Sequence, residues 1–314
     1  MNGGGAGATV VCTLGMHRSG TSLVSRLLNF LGVHLGPDEL IAKTGADNPK
    51  GYWEHQSFVD LNDEILARLG GRWDEPPAFP PAWPRDPRIV DLREKASRLV
   101  LGNFVTEPLW GWKDPRTCLT LPFWQDLIGP MRYVMCMRNP CAVAASLSER
   151  NGMSFEKAEG LWLAHAEACL AHTRGRPRMF VVYEDLLRDW PSQLRRMAAF
   201  IGDPARADDP RVHEAVGGFL ENQLCHHRSS VEDLVADPRI SLATKRMYVL
   251  AQEASARSWE REETALLELE EIRASRAWKL VTFSRGVIAR VFPAGTRRHA
   301  AYNAVLGLIA RTLS

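Results

Sequence analysis

Short apolar runs alternate with stretches of helical spacing along the first two thirds of the chain. Thr9 to Leu14 is a nearly unbroken apolar run, the pattern of a strand buried on both faces. Leu23, Leu27, Leu28 and Leu31 then recur at helical spacing, which predicts a helix over about 20–32. Residues 36–52 are rich in Gly, Pro and Asn and read as a loop. A second helix, over about 55–70, sets Phe58, Leu61, Ile65, Leu66 and Leu69 along one face. A third, amphipathic helix is predicted over about 88–103. Between them, Trp73 to Arg88 contains six prolines, which a helix or central strand does not tolerate. A long irregular segment of this kind suits a lid or a binding loop.

Three further strand-then-turn units follow. Leu109–Trp112 enters Lys113-Asp114-Pro115-Arg116, Met131–Met137 enters Arg138-Asn139-Pro140, and Arg178–Val182 enters Tyr183-Glu184-Asp185. Helices are predicted between them, over about 118–128, 141–150, 154–174 and 191–202. Strands that alternate with helices predict an α/β fold: a P-loop-like three-layer sandwich with a central parallel sheet. Ligands of such sheets gather at the carboxyl ends of the strands, where every polar cluster of this chain falls. The pattern changes beyond about 210. Residues 8–230 are expected to form the α/β domain, and 231–314 a helical C-terminal extension, with a long Glu- and Arg-dense helix over 244–277.

The first turn carries the clearest chemistry. Gly15-Met16-His17-Arg18-Ser19-Gly20-Thr21-Ser22 joins the first strand to the first helix. A glycine-bounded turn of this kind aims backbone N–H groups and a helix N-terminus at an anion. It nearly matches the phosphate loop of nucleoside triphosphatases, but Thr21 stands where that loop has lysine, and the cation is Arg18, three residues earlier. The third strand delivers Arg138, with Ser146 eight residues later on the next helix; an arginine there suits a second phosphate.

Together these elements resemble the PAPS-dependent sulfotransferases (PAPS is 3′-phosphoadenosine 5′-phosphosulfate), in particular their bacterial and Golgi-type branch. The resemblance covers roughly residues 8–230, and it implies that Gly15, His17, Arg18, Ser19, Gly20, Thr21 and Ser22 bind the 5′-phosphosulfate. It implies that Arg138 and Ser146 bind the 3′-phosphate and that Tyr183, in Tyr183-Glu184-Asp185-Leu186, lies near the adenosine. A C-terminal Arg-Lys-Gly-rich loop found in the cytosolic branch is not visible; His226, His227 and Arg228 are the substitutes at hand.

Sulfuryl transfer to a hydroxyl needs positioning, positive charge at the transferring oxygens and a base. It requires no metal, and no cluster with ligand spacing appears. Arg18 suits the leaving bisphosphate, and Lys113, at a strand end, is either a second cation or half of a salt bridge. Glu54, in Gly51-Tyr52-Trp53-Glu54-His55, is the leading base, in line with the glutamate that Golgi-type members use after the first helix; His55 is the alternative and Asp114 the third. Trp53, Trp73, Trp83, Trp110 and Trp112 are expected around the mouth, where an aromatic face can stack on a sugar or apolar acceptor.

Composition adds little except at the end of the chain. The net charge of +2 does not suggest nucleic acid. From Ile272 to Ser314, however, there are eight Lys/Arg and no Asp/Glu, which leaves about −6 on the rest. This tail reads as an amphipathic helix for peripheral contact with anionic lipid through 277–314, or as a helix packed on the body or a partner. Its Arg-Ala-Ser-Arg-Ala-Trp-Lys run looks like segments beside bacterial surface-polysaccharide glycosyltransferases, and so the expected hydroxyl acceptor is a glycan or glycolipid. Six cysteines without CxxC spacing predict buried free thiols. No signal peptide or membrane span is visible, so a cytoplasmic body is expected, with the tail at the inner membrane face. Two other readings remain open at this point: a P-loop kinase or NTPase, and an inactive nucleotide-binding scaffold.

Overall fold

The computed structural model describes residues 8–42, 48, 51–220 and 230–256. Four strands form one parallel sheet in the order β2-β1-β3-β4: β1 is Thr9–Leu14, β2 Leu109–Lys113, β3 Arg132–Met137 and β4 Arg178–Val182. All four are buried almost end to end. The continuous apolar runs follow from that, because helices cover both faces of a parallel sheet.

On one face lie α1 (Thr21–Phe30), α8 (Trp190–Ile201) and α9 (Pro210–Leu220). Their Leu23, Leu27, Leu194, Met197 and Val216 join Val11, Val134 and Val181 of the strands in one apolar core. Against the other face stand α4 (Thr117–Ile128), α5 (Pro140–Asn151) and α6 (Phe155–His172), with Cys118, Trp162 and Cys169 buried. The result is the expected three-layer α/β sandwich. The remaining helices are α2 (Gln56–Arg68), α3 (Val90–Phe104), α7 (Tyr183–Arg188), α10 (Val231–Ala236) and α11 (Leu242–Ser255).

Trp110 and Trp112 of β2 pack with Phe58, Phe104 and Trp124 in an aromatic block. Trp110, Trp112 and Trp83 are therefore core residues and not part of the mouth; Trp83 is buried against Phe79. Aromatic side chains bury large areas, and packing claimed these three. Gly111 lets β2 lie close to β1, since a Cβ there would fall 2.1 Å from the Val11 carbonyl oxygen.

Helix α11 packs on β4 and α6. His226, His227, Arg228, the rest of the helix predicted over 244–277 and the basic tail 277–314 lie outside the described residues. Among the described residues, no helix is long and apolar enough to cross a membrane.

Candidate functional site

The order β2-β1-β3-β4 puts the reversal of winding between β1 and β3. At such a point the loops leave in opposite directions and open a crevice at the carboxyl ends. The Gly15–Ser22 loop and the Arg138-Asn139 turn both emerge there.

The first turn is shaped by backbone. Gly20 (φ 85°) and Arg18 (φ 68°) are left-handed, and left-handed non-glycine residues collect at binding sites. A Cβ on Gly20 would lie 2.2 Å from the Tyr183 ring. Gly20 gives α1 no capping side chain, and the first-turn N–H groups of a helix have no intrahelical acceptor. Ser19 Oγ and His17 Nε2 are buried without a hydrogen-bond partner. Burial, and then the charges of Arg116, His165, Lys113 and Arg150, hold the His17 pKa well below its usual value. The loop thus offers a buried hydroxyl, a buried imidazole and the first-turn N–H groups of α1, with Arg18 beside them, which fits an anionic group.

The second turn is shaped by side chains. Pro140 opens α5, with the Asn139 side chain as its N-cap, accepting from Cys141 N at 2.9 Å. The Arg138 guanidinium stands over the Tyr183 ring at 4.8 Å, and its Nη1 donates to the Arg18 carbonyl at 3.1 Å. Arg18 Nε in turn donates to Ser146 Oγ at 2.8 Å. Arg18, Arg138, Ser146, Tyr183 and Gly20 therefore form one cluster, although 120 residues separate the two arginines.

Beside it, Lys113 Nζ donates to Glu54 Oε1 at 2.5 Å and to Ser22 Oγ at 3.3 Å. Lys113 is 1% exposed and Glu54 15%. Lys113 is thus ion-paired, and it also touches the Gly15–Ser22 loop. Residues 41–42 bridge to 54–55 as a short extended pair, through Ala42 N to the Glu54 carbonyl at 2.7 Å. Successive side chains of extended backbone point to opposite sides. Glu54 accordingly faces Lys113, while His55 turns into the core among Gly36, Phe58 and Phe104. Burial pushes the His55 pKa down to about 4. The structure thus separates His55 from the cluster. Asp114, also weighed as a base, is buried and accepts from Asn62 Nδ2 (2.7 Å) and Arg116 (2.8 Å). Burial works against the Arg116 charge, but Asp114 and Asp63 still hold its pKa above the usual value.

A sequence profile described as the sulfotransferase family matches residues 11–208, a span that contains this whole cluster. The chain belongs to the sulfotransferase family. No curated protein sequence matches it. Among solved structures it is similar to the sulfotransferase domain of the Synechococcus PCC 7002 olefin synthase, with 18% identity, 81% of this chain and 97% of that chain covered, and a TM-score of 0.42. A Mycobacterium tuberculosis H37Rv sulfotransferase aligns at 13% identity, 80% and 77% coverage and a TM-score of 0.42. A retinol dehydratase solved with androsterone and the inactive cofactor PAP aligns at 17% identity, 76% and 69% coverage and a TM-score of 0.33.

In this sulfotransferase-family chain, several supporting residues escaped the sequence reading. Asn62, fully buried, holds Asp114, Thr117, Thr120 and Trp124 together. Trp162 Nε1 donates to the Arg138 carbonyl at 3.1 Å. Glu184 accepts from Asn139 N at 3.0 Å, and only the Tyr-Glu-Asp-Leu motif hinted at it. Of the tryptophans expected at the mouth, Trp73 packs on His17 at 4.4 Å and Trp53 on the Arg26 guanidinium at 4.1 Å. Among the described residues no group of His, Cys, Asp and Glu has the arrangement of a metal site, and all described cysteines are free.

Proposed function

We propose that this family member transfers a sulfuryl group from PAPS to a hydroxyl of a carbohydrate or glycolipid. The observation that carries the reading is the meeting of Arg18, Arg138 and Ser146 at the crevice between β1 and β3. A nucleotide with anionic groups at two separated ends calls for two guanidinium groups from different strand ends, and a single phosphate does not. The PAP named in the retinol dehydratase structure is consistent with such a donor.

In this reading Arg18 and the N–H groups of Ser19 to Ser22 hold the 5′ end, while Arg138 and Ser146 hold the 3′-phosphate. Tyr183, packed on Gly20 and under Arg138, borders the adenosine side. The donor supplies an activated sulfuryl group. Transfer breaks its sulfur–oxygen bond to the phosphate, forms one to the acceptor oxygen and releases the hydroxyl proton. Glu54 takes that proton, and Lys113, bonded to both Glu54 and Ser22, orients the carboxylate and adds positive charge beside the loop. Removing either partner of so buried a pair strands the other charge, at a cost of about 3–5 kcal/mol.

Trp73, half-buried on His17 within the proline-rich segment, supports a ring-bearing acceptor such as a sugar, because it sets an aromatic face beside the loop. The basic tail gives a cytoplasmic protein a means to rest on anionic lipid near a glycolipid acceptor. Incubation with labelled PAPS and a panel of glycans and glycolipids tests the proposal: label should reach a hydroxyl acceptor with stoichiometric release of adenosine 3′,5′-bisphosphate. Magnesium-dependent ATP consumption in place of sulfation would return the chain to the kinase reading. Bisphosphate binding without transfer to any acceptor would mark it as a scaffold.

A further inference from the structure

We infer that Glu184 is a positioning residue for Arg138: its carboxylate, steadied by Tyr248 of α11, fixes the turn from which Arg138 reaches the 3′-phosphate. This rests on the 3′-phosphate role proposed above for Arg138.

Strands β3 and β4 are adjacent and parallel, with Met137 opposite Val182. The residues that follow, Arg138-Asn139 and Tyr183-Glu184, therefore leave the sheet side by side. Glu184 uses its two oxygens on two different elements. Oε1 accepts from the Asn139 backbone N at 3.0 Å, and Oε2 accepts from the Tyr248 hydroxyl at 2.9 Å. Tyr248 is fully buried; burial, and then the Glu184 charge, hold its pKa far above the usual value, so the phenol stays a donor.

The turn has further supports. Trp162 of α6 donates to the Arg138 carbonyl, and Asn139 Nδ2 donates to the Ser230 carbonyl at 3.0 Å, just before α10. Bonds from α6, α7 and the start of α10 thus converge on two residues. Glu184 contributes the charge-assisted one, and through Tyr248 it ties the packing of α11 to the donor site. A carboxylate beside a phosphate site is electrostatically unfavourable for an anion, so attraction does not explain its presence. Geometry does.

Calorimetry of the full chain with adenosine 3′,5′-bisphosphate and with AMP separates the possibilities. Glu184→Ala should weaken the bisphosphate about tenfold and AMP less than about twofold. Glu184→Gln keeps an acceptor for Asn139 N and should stay within about twofold of wild type on both ligands. Tyr248→Phe should weaken the bisphosphate alone, by about threefold. Equal loss of both ligands in Glu184→Ala, no loss of either, or a Gln variant as weak as the Ala variant would overturn the inference. Should Glu184→Ala not fold, Tyr248→Phe decides, and unchanged bisphosphate affinity overturns it. Arg138→Ala separates this from failure of the underlying reading. If Arg138→Ala selectively loses the bisphosphate and Glu184→Ala does not, the Glu184 role alone falls. If Arg138→Ala shows no selectivity, both fall.

Discussion

The turn after β1 and the turn after β3 sit at one crevice and differ in what bends them. The first is bent by its own left-handed residues, Arg18 and Gly20, and is then tied by Cys118 Sγ, which accepts from Gly15 N, and by Cys136 Sγ and Arg138 Nη1, which donate to the Ser19 and Arg18 carbonyls. The second is held from outside, by Trp162, Glu184 and Ser230, from segments far along the chain. A loop bent by its own glycine-bounded backbone can be recognised in eight consecutive residues. A turn held by distant side chains shows in the sequence only its own residues, not its supports.

The largest effect should come from outside both turns. Glu54→Gln is expected to cut turnover about 10²–10⁴-fold while bisphosphate affinity stays within about twofold. Paired kinetics and calorimetry check this, and an equal fall in affinity would mean that Glu54 belongs to the donor grip. Next, Gly20→Ala should break the turn after β1, because the new Cβ would meet the Tyr183 ring at a left-handed position. The expected loss is about 1–3 kcal/mol of stability together with weaker binding of both bisphosphate and AMP. An unchanged melting temperature and unchanged affinities would contradict a turn bent by its own left-handed residues.

Acid offers a third way to strain the molecule. Burial depresses the pKa of His17, and brings His55 and His165 to about 4. Unfolded histidines bind protons below about 6.5 while the folded ones do not. The stability they contribute is complete above that pH and falls as pH drops toward 4, by at most about 1.4 kcal/mol per unit for each residue. Urea unfolding between pH 7 and 4 measures this, and a flat profile would contradict neutral buried imidazoles. The smallest effect belongs to the turn after β3. Trp162→Phe removes one N–H from the Arg138 carbonyl and should cost about 1 kcal/mol, with the AMP affinity unmoved in calorimetry.

The same contrast explains what could be read in advance. The four strands and their helices were legible because continuous apolar runs and helical spacing are local patterns. Arg18, Arg138 and Ser146 were legible through fixed spacing, and the structure gathers them into one cluster. The preference for Glu54 over His55 rested on resemblance; that the two side chains point to opposite sides follows from the extended pairing at 41–42 and 54–55, which no local pattern shows. Trp83, Trp110 and Trp112 looked like mouth residues because nothing in a sequence tells a stacking platform from a core aromatic. Asn62 and Tyr248 were invisible, since each matters through partners more than fifty residues away.

The central claim is that one crevice reads both ends of an adenine nucleotide through guanidinium groups on two strand-end turns. Calorimetric titration of the wild-type chain with adenosine 3′,5′-bisphosphate, AMP and ATP tests it most directly. The account predicts that the bisphosphate binds at least about tenfold tighter than AMP or ATP without added magnesium, as one charge-assisted contact to the extra phosphate would give. Equal affinity for the bisphosphate and AMP, or tighter magnesium-dependent binding of ATP, would contradict it.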